Sequence, residues 1–335
     1  MKTKLFLVTP PFTQLNTPYP ATAYIKGFLN TKNIASVQAD LGIEVILALF
    51  SKKGLQDLFQ VSNSKFQKQE LSENAKRIFA LQDEYVKTID SVVAFLQGKN
   101  PTLALQICQE DFLPEASRFA QLEELDWAFG TMGTQDKAKH LATLYLEDIS
   151  DFIVECVDPN FGFSRYAERL GRSANSFDEL YQALQQERTY IDAILLSILA
   201  AKIDTIQPTI FLISVPFPGN LYAAFRSAQW LKKHHPEIKI LMGGGFANTE
   251  LRSLSDKRVF EFFDFISLDD GELPLELIVE NIESGLNSEF KRTFLLENGK
   301  VVYKNNSSRT DYKQSQVGTP DYSDLLLDKY ISVIE

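Results

Sequence analysis

The segment 238–250, Ile-Lys-Ile-Leu-Met-Gly-Gly-Gly-Phe-Ala-Asn-Thr-Glu, constrains this chain more than any other. It reads as a buried strand that runs into Gly243, Gly244 and Gly245 and then into the start of a helix. Three glycines at a strand's carboxyl end leave backbone with no side chains in the way. In α/β sheets that edge is where ligands bind.

The flanking sequence supports such a sheet. Residues 5–9 form a short apolar run closed by Pro10 and Pro11, and 22–29 follow as a helix. Residues 35–40 read as a second strand, closed by Asp40, and 43–50 as a second helix. Strand–helix alternation predicts a parallel sheet. The alternation stops between about 54 and 206, where apolar residues fall at helical spacing in 72–96, 136–156, 177–184 and 188–203. It resumes with a strand at 209–215 and a helix at 220–234 for which Asn220 is the expected N-cap. The glycine-ended strand 238–242, a strand at 262–268 closed by Asp269-Asp270-Gly271-Glu272, and a helix at 275–283 follow. Residues 290–296 and 300–304, joined through Glu297-Asn298-Gly299, predict a hairpin. The expected organisation is an α/β unit of 1–53 plus 207–285, a helical insertion of 54–206, a hairpin and linker of 286–318, and a connecting segment of 319–335.

Composition excludes several classes. The chain of 335 residues carries a net charge of −10, which argues against nucleic acid and anionic membranes as partners. Cys108 and Cys156 stand far apart in helical contexts and read as buried thiols. No Cys-x-x-Cys or Cys/His cluster offers a zinc or iron–sulfur site. The apolar run at the start is too short for a signal peptide, and 191–203 is too short for a membrane span of ~20 residues, so the expected location is cytoplasmic.

Five strand ends fall on one edge: Thr9-Pro10-Pro11, Asp40, Ser214-Val215-Pro216, Gly243-Gly244-Gly245, and Asp269-Asp270-Gly271-Glu272. The default ligand site is the crevice where strand order switches. A dinucleotide fingerprint would put its glycines after the first strand; here they follow the fourth. A phosphate loop fails for want of Lys-Ser or Lys-Thr. Asp269, Asp270 and Glu272 could hold a metal or a ribose hydroxyl, or simply complement a helix dipole. His234 and His235 belong at the opposite edge, and His140 to the insertion.

These residues resemble a known family. Leu-Val-Thr-Pro-Pro (7–11), the glycines after the fourth strand and Asp-Asp-Gly-Glu (269–272) are similar to the cobalamin-binding-type domain of radical S-adenosylmethionine proteins. Phe-Gly-Phe-Ser-Arg-Tyr (161–166) and the segment from Thr-Pro-Asp-Tyr (319–322) to Tyr330 are similar to a subgroup with a long helical insertion. The resemblance implies a flavodoxin-like, Rossmann-like five-stranded parallel sheet of order 2-1-3-4-5. It implies a domain that binds a corrinoid or shapes a substrate site. Its partner would be the protein's own C-terminal radical domain, which would hold the 4Fe-4S cluster and S-adenosylmethionine. That domain's three-cysteine motif is absent from this sequence. The implied cofactor-binding residues are Pro10, Pro11, Asp40, Ser214, Gly243, Gly244, Gly245 and Glu272. The Asp-x-His-x-x-Gly motif that ligates cobalt in many such domains is also absent, and Pro-Phe-Thr-Gln-Leu-Asn (11–16) stands in its place. Two expectations stay open: cobalamin held without a protein histidine, or a cofactor-free interaction module. A nucleotide-binding Rossmann-like domain is a third.

Overall fold

The computed structural model describes residues 3–66, 70–109, 111–124, 133–172, 177–286 and 288–334. Parts of the expected insertion (67–69, 110, 125–132 and 173–176), residue 287 before the hairpin, and 1, 2 and 335 lie outside the described residues.

The chain is an α/β protein around one seven-stranded sheet of order β2-β1-β3-β4-β5-β6-β7. The strands are β1 Lys4–Thr9, β2 Ala35–Asp40, β3 Ile210–Ser214, β4 Lys239–Gly243, β5 Phe265–Ser267, β6 Thr293–Glu297 and β7 Lys300–Lys304. The first five are parallel, and among them the order is 2-1-3-4-5. The five-strand expectation is corrected by the hairpin, which joins β5 antiparallel and extends the same sheet. The reason is burial. Phe294 and Leu295 point to opposite faces and belong to the two separate apolar cores, so β6 buries both only by continuing the sheet. Doing so also covers the edge of β5, a strand of three residues. The expected strand 262–268 is shortened because Phe262 and Phe263 leave the ladder to pack their rings on Phe225, at 5.2 and 4.9 Å. The expected helix 72–96 is two helices, Glu73–Ala80 and Gln82–Leu96, broken at Leu81.

Strands β1 and β3 are buried on both faces, which is why they read as continuous apolar runs. Helices Ala21–Thr31 and Glu272–Ser284 cover one face, with Phe28, Leu275 and Ile278 packed on Leu5, Leu212 and Leu241. The other face meets helices Leu41–Leu49 and Leu221–His234 and the insertion in one continuous core. No strand occurs between β2 and β3 among the described residues. The insertion packs directly on the α/β unit through Phe12, Phe50, Phe161 and Phe163. No described helix is long and apolar enough to cross a membrane.

The segment after the linker is a strap. The Asp321 N–H donates to Ala23 O, the Gln38 N–H to Asp324 Oδ2, and the Ile331 N–H to Leu15 O. Lys26, almost fully buried, pairs with Asp324 at 2.6 Å. The strap thus covers the outer edge of β2 and then reaches the insertion, where Ile334 N–H donates to Thr143 Oγ1.

Candidate functional site

Strand register brings part of the expected site together. Ser214 lies beside Gly243, and Met242 beside Ile266, which puts Gly243 next to Ser267. Ser214, Gly243 and Ser267 therefore form a rank across three strands: hydroxyl, bare backbone, hydroxyl. One rank below lie Leu212, Leu241 and Phe265, on the face covered by helix Ala21–Thr31. A cavity of about 280 Å³ opens here, floored by Leu212, Leu241 and Ile25, and reaching Gly244, Asp269, Asp270, Gly271 and Glu272 at its mouth. Ser214 and Ser267 are 5% and 6% exposed, and neither hydroxyl has a hydrogen-bond partner among the described residues. A Cβ built on Gly243 would come within 3.2 Å of Ser267 Oγ, so a side chain there would intrude on the same space.

The other two glycines serve the backbone. Gly244 has φ +102° and ψ −178°, a region open essentially to glycine alone. A Cβ on it would lie 2.6 Å from Val215 O, and one on Gly245 would lie 2.8 Å from Pro216 O. This tight apposition is fixed by Val215 N–H to Gly243 O at 2.8 Å and Phe246 N–H to Val215 O at 3.0 Å. The bare backbone that the sequence offered to a ligand is largely taken by the end of β3. Gly245 does not line the cavity; Gly244 touches it.

Pro10, Pro11 and Asp40 are also elsewhere. The switch crevice between β1 and β3 is closed by Asn220, which is fully buried and donates its amide to Pro10 O at 3.1 Å and Phe12 O at 2.6 Å. Asn220 stands at the start of helix Leu221–His234, yet its side chain makes no cap bond to that helix. Phe12 lies beneath Phe161 and Tyr166 of the insertion, and Tyr166 N–H donates to Gly219 O. Behind this plug runs a buried polar chain. Tyr166 donates to Asp158 Oδ2 at 2.8 Å, Tyr222 donates to Asp192 Oδ2 at 2.9 Å, and Arg226 Nε lies 2.9 Å from the same Asp192 oxygen. Burial pushes the Asp192 carboxyl up, while Arg226 and Tyr222 pull it back. Asp40 caps helix Leu41–Leu49 through the Gly42 and Ile43 N–H groups and accepts from Tyr330 of the strap at 2.8 Å. Burial raises its carboxyl from the usual range, against those three donors. Its hydrogen bonds are satisfied by its own chain.

The mouth of the cavity is acidic. Asp269 pairs with Arg252, and Arg292 pairs with Asp311 at 2.7 Å while donating to Asp270 O. Glu272, half-buried in the first turn of its helix, has no hydrogen-bond or ion-pair partner among the described residues. No group of three or more His, Cys, Asp or Glu arranged to hold a metal occurs among them either. His234 and His235 lie at the far end of helix Leu221–His234, as the sequence implied.

A larger cavity of about 520 Å³ lies on the opposite face, walled by Leu180, Leu221, Phe225 and Phe246. Its cation, Arg258, is already paired with Asp256 and Asp178, and it contains none of the strand-end residues. The smaller cavity, with open hydroxyls at the carboxyl edge, is the better candidate. Sequence reading missed Ser267, although a signal existed: it stands next to last in its predicted strand, 262–268, as Ser214 does in 209–215. No known family, curated protein or solved structure matches this chain.

Proposed function

We propose that this chain is a ligand-holding α/β domain of the flavodoxin-like, corrinoid-binding type, whose β3–β5 cavity takes the aromatic base at the end of a corrinoid's nucleotide tail. The observation that carries the reading is the rank Ser214–Gly243–Ser267: two buried serines that line the cavity on either side of a cleared position, above an apolar floor, with no hydrogen-bond partner for either hydroxyl among the described residues. Size favours a base. A cavity of ~150 Å³ takes one benzene ring, so about 280 Å³ suits a fused two-ring system but not a macrocycle. The macrocycle would lie outside, over the carboxyl edge, where Phe217 is 52% exposed beside Tyr19. The residues fit the nucleotide end of a corrinoid and supply no histidine for its cobalt at that edge. By resemblance, the cobalt chemistry would serve a radical S-adenosylmethionine domain, with this domain confined to binding and orientation in the cytoplasm.

The test is thermal unfolding with added cobalamin, with Ser214→Ala and Ser267→Ala in parallel. The reading expects a rise in midpoint that grows with cobalamin concentration and shrinks in both variants. A midpoint that cobalamin leaves unmoved at millimolar concentration would reject it.

The closed switch crevice favours a second reading, a cofactor-free interaction module. Asn220, Phe12 and the insertion occupy the place where such sheets ordinarily bind ligands. That reading expects no response to cobalamin and no response to nucleosides.

A further inference from the structure

We infer that a separate pocket at the carboxyl edge receives a propionamide arm of the corrinoid ring, and so selects the amidated ring over its carboxylic acid. The inference rests on the corrinoid reading and adds a determinant for the ring, outside the β3–β5 cavity. The pocket measures about 390 Å³, and its walls come from four distant segments: the loop after β1, the insertion at Phe163 and Ser164, Phe217 after β3, and Val333 of the strap. Tyr19 and Phe217, with ring centroids 5.8 Å apart, link it to the β3–β5 cavity. Tyr19 falls between Asn16 of the pocket and Ala21 of the cavity, and Phe217 lines the pocket on the loop that follows Ser214. A ring laid over Phe217, with its tail in the β3–β5 cavity, therefore has part of its rim at this pocket.

No charged side chain lines the pocket among the described residues. The next residue after Ser164, Arg165, lies 3.4 Å from Glu168 and is paired there. Thr13, Gln14, Asn16 and Ser164 supply hydroxyls and carboxamides, groups that both donate and accept. None of these four side chains has a hydrogen-bond partner among the described residues. Thr13 is 4% exposed, so its hydroxyl meets only what enters the pocket. A neutral carboxamide satisfies such groups in both directions. A carboxylate in the same place offers no donor, and it sheds water with no cation to pair it. Leu15, Phe163 and Phe217 give the methylenes of the arm an apolar wall. A cavity of ~150 Å³ takes one benzene ring, so about 390 Å³ is ample for the arm.

The test titrates the intact chain with hydroxocobalamin and with its b, d and e monocarboxylic acids, in each of which one free propionamide is hydrolysed. The visible spectrum and co-elution on gel filtration report binding. One of the three acids should bind at least about tenfold more weakly than cobalamin, because its carboxylate enters a pocket without a cation. Gln14→Lys, at an exposed position, should restore that acid and leave the other two as they were. Thr13→Val should weaken cobalamin about fivefold, the scale of one hydrogen bond. Unchanged thermal unfolding shows that both variants fold. Equal binding of cobalamin and all three acids, a penalty that Gln14→Lys does not relieve, or a Thr13→Val chain that binds as the parent does overturns amide selection at this pocket while leaving the β3–β5 reading intact. Cobalamin that fails to bind the parent chain overturns that reading and this inference with it.

Discussion

Gly243 and Gly244 are adjacent, yet an alanine at each should have opposite consequences. Gly244 sits at φ +102° and ψ −178°, where a residue with a side chain costs about 1–3 kcal/mol in backbone strain. Its added Cβ would also meet Val215 O at 2.6 Å and Val215 N at 2.8 Å. These are backbone atoms that move only with the end of β3, and overpacking of this kind costs a further ~1–3 kcal/mol. Gly244→Ala should therefore lose about 2–6 kcal/mol. Gly243 has no such backbone demand, and its Cβ would meet only Ser267 Oγ at 3.2 Å, a hydroxyl free to turn. The smaller unfolded-state entropy of alanine offsets that contact by ~0.4–1 kcal/mol, so Gly243→Ala should fall within about 1 kcal/mol of the parent. Urea unfolding of the two variants, compared at matched slopes, measures the difference. Equal losses at the two positions would refute the division of the glycines into one that clears a cavity and one that lets two strand ends meet.

Asn220→Ala should cost about 2–4 kcal/mol by leaving the buried Pro10 and Phe12 carbonyls without a donor. Asn220→Asp, which keeps the shape but not the amide N–H, should cost as much in denaturant unfolding. Asp148 gives a pH signature. Burial lifts its carboxyl from 3.8 to about 6, against the Ala116 and Arg118 N–H groups. Because the folded value is raised, its contribution is fully present below about pH 3.8 and is lost as pH rises through about 6. At ~1.4 kcal/mol per unit this amounts to about 3 kcal/mol, and Asp148→Asn should flatten that part of the stability–pH curve. Tyr330→Phe removes a donor from the buried Asp40 carboxylate. It should destabilise by about 1–2 kcal/mol, and more at pH 8 than in acid, where Asp40 is protonated and has less need of the donor.

Periodicity and breakers made the parallel sheet legible: the predicted strands closed by Pro10-Pro11, Asp40, Pro216 and the glycines are β1 to β4. The hairpin's attachment was not legible, because whether Phe294 and Leu295 close a separate hairpin or extend the sheet depends on which cores they reach. At the site, the sequence marked the carboxyl edge but could not say which backbone faces which. Gly244 and Gly245 look as open as Gly243 until Val215 and Pro216 are seen against them. Asp40 looks like a ligand until Tyr330, 290 residues away in sequence, is found on its carboxylate. Asn220 read as a helix cap, and only the fold reveals the two carbonyls from another strand end that it satisfies. Each miss is a long-range pairing that local pattern does not encode.

The central claim is that a ring enters between Ser214 and Ser267 above Gly243. Its most direct test is titration of the intact chain and of Gly243→Leu with hydroxocobalamin, followed by the visible spectrum and by co-elution on gel filtration. A leucine at 243 would fill the cavity from its open rank without touching the Gly244 contact. The account predicts saturable binding to the parent chain and at least about tenfold weaker binding to Gly243→Leu, equivalent to ~1.4 kcal/mol, with the variant still folded. Cobalamin that fails to bind the parent chain at millimolar concentration, or that binds both chains equally, would contradict it.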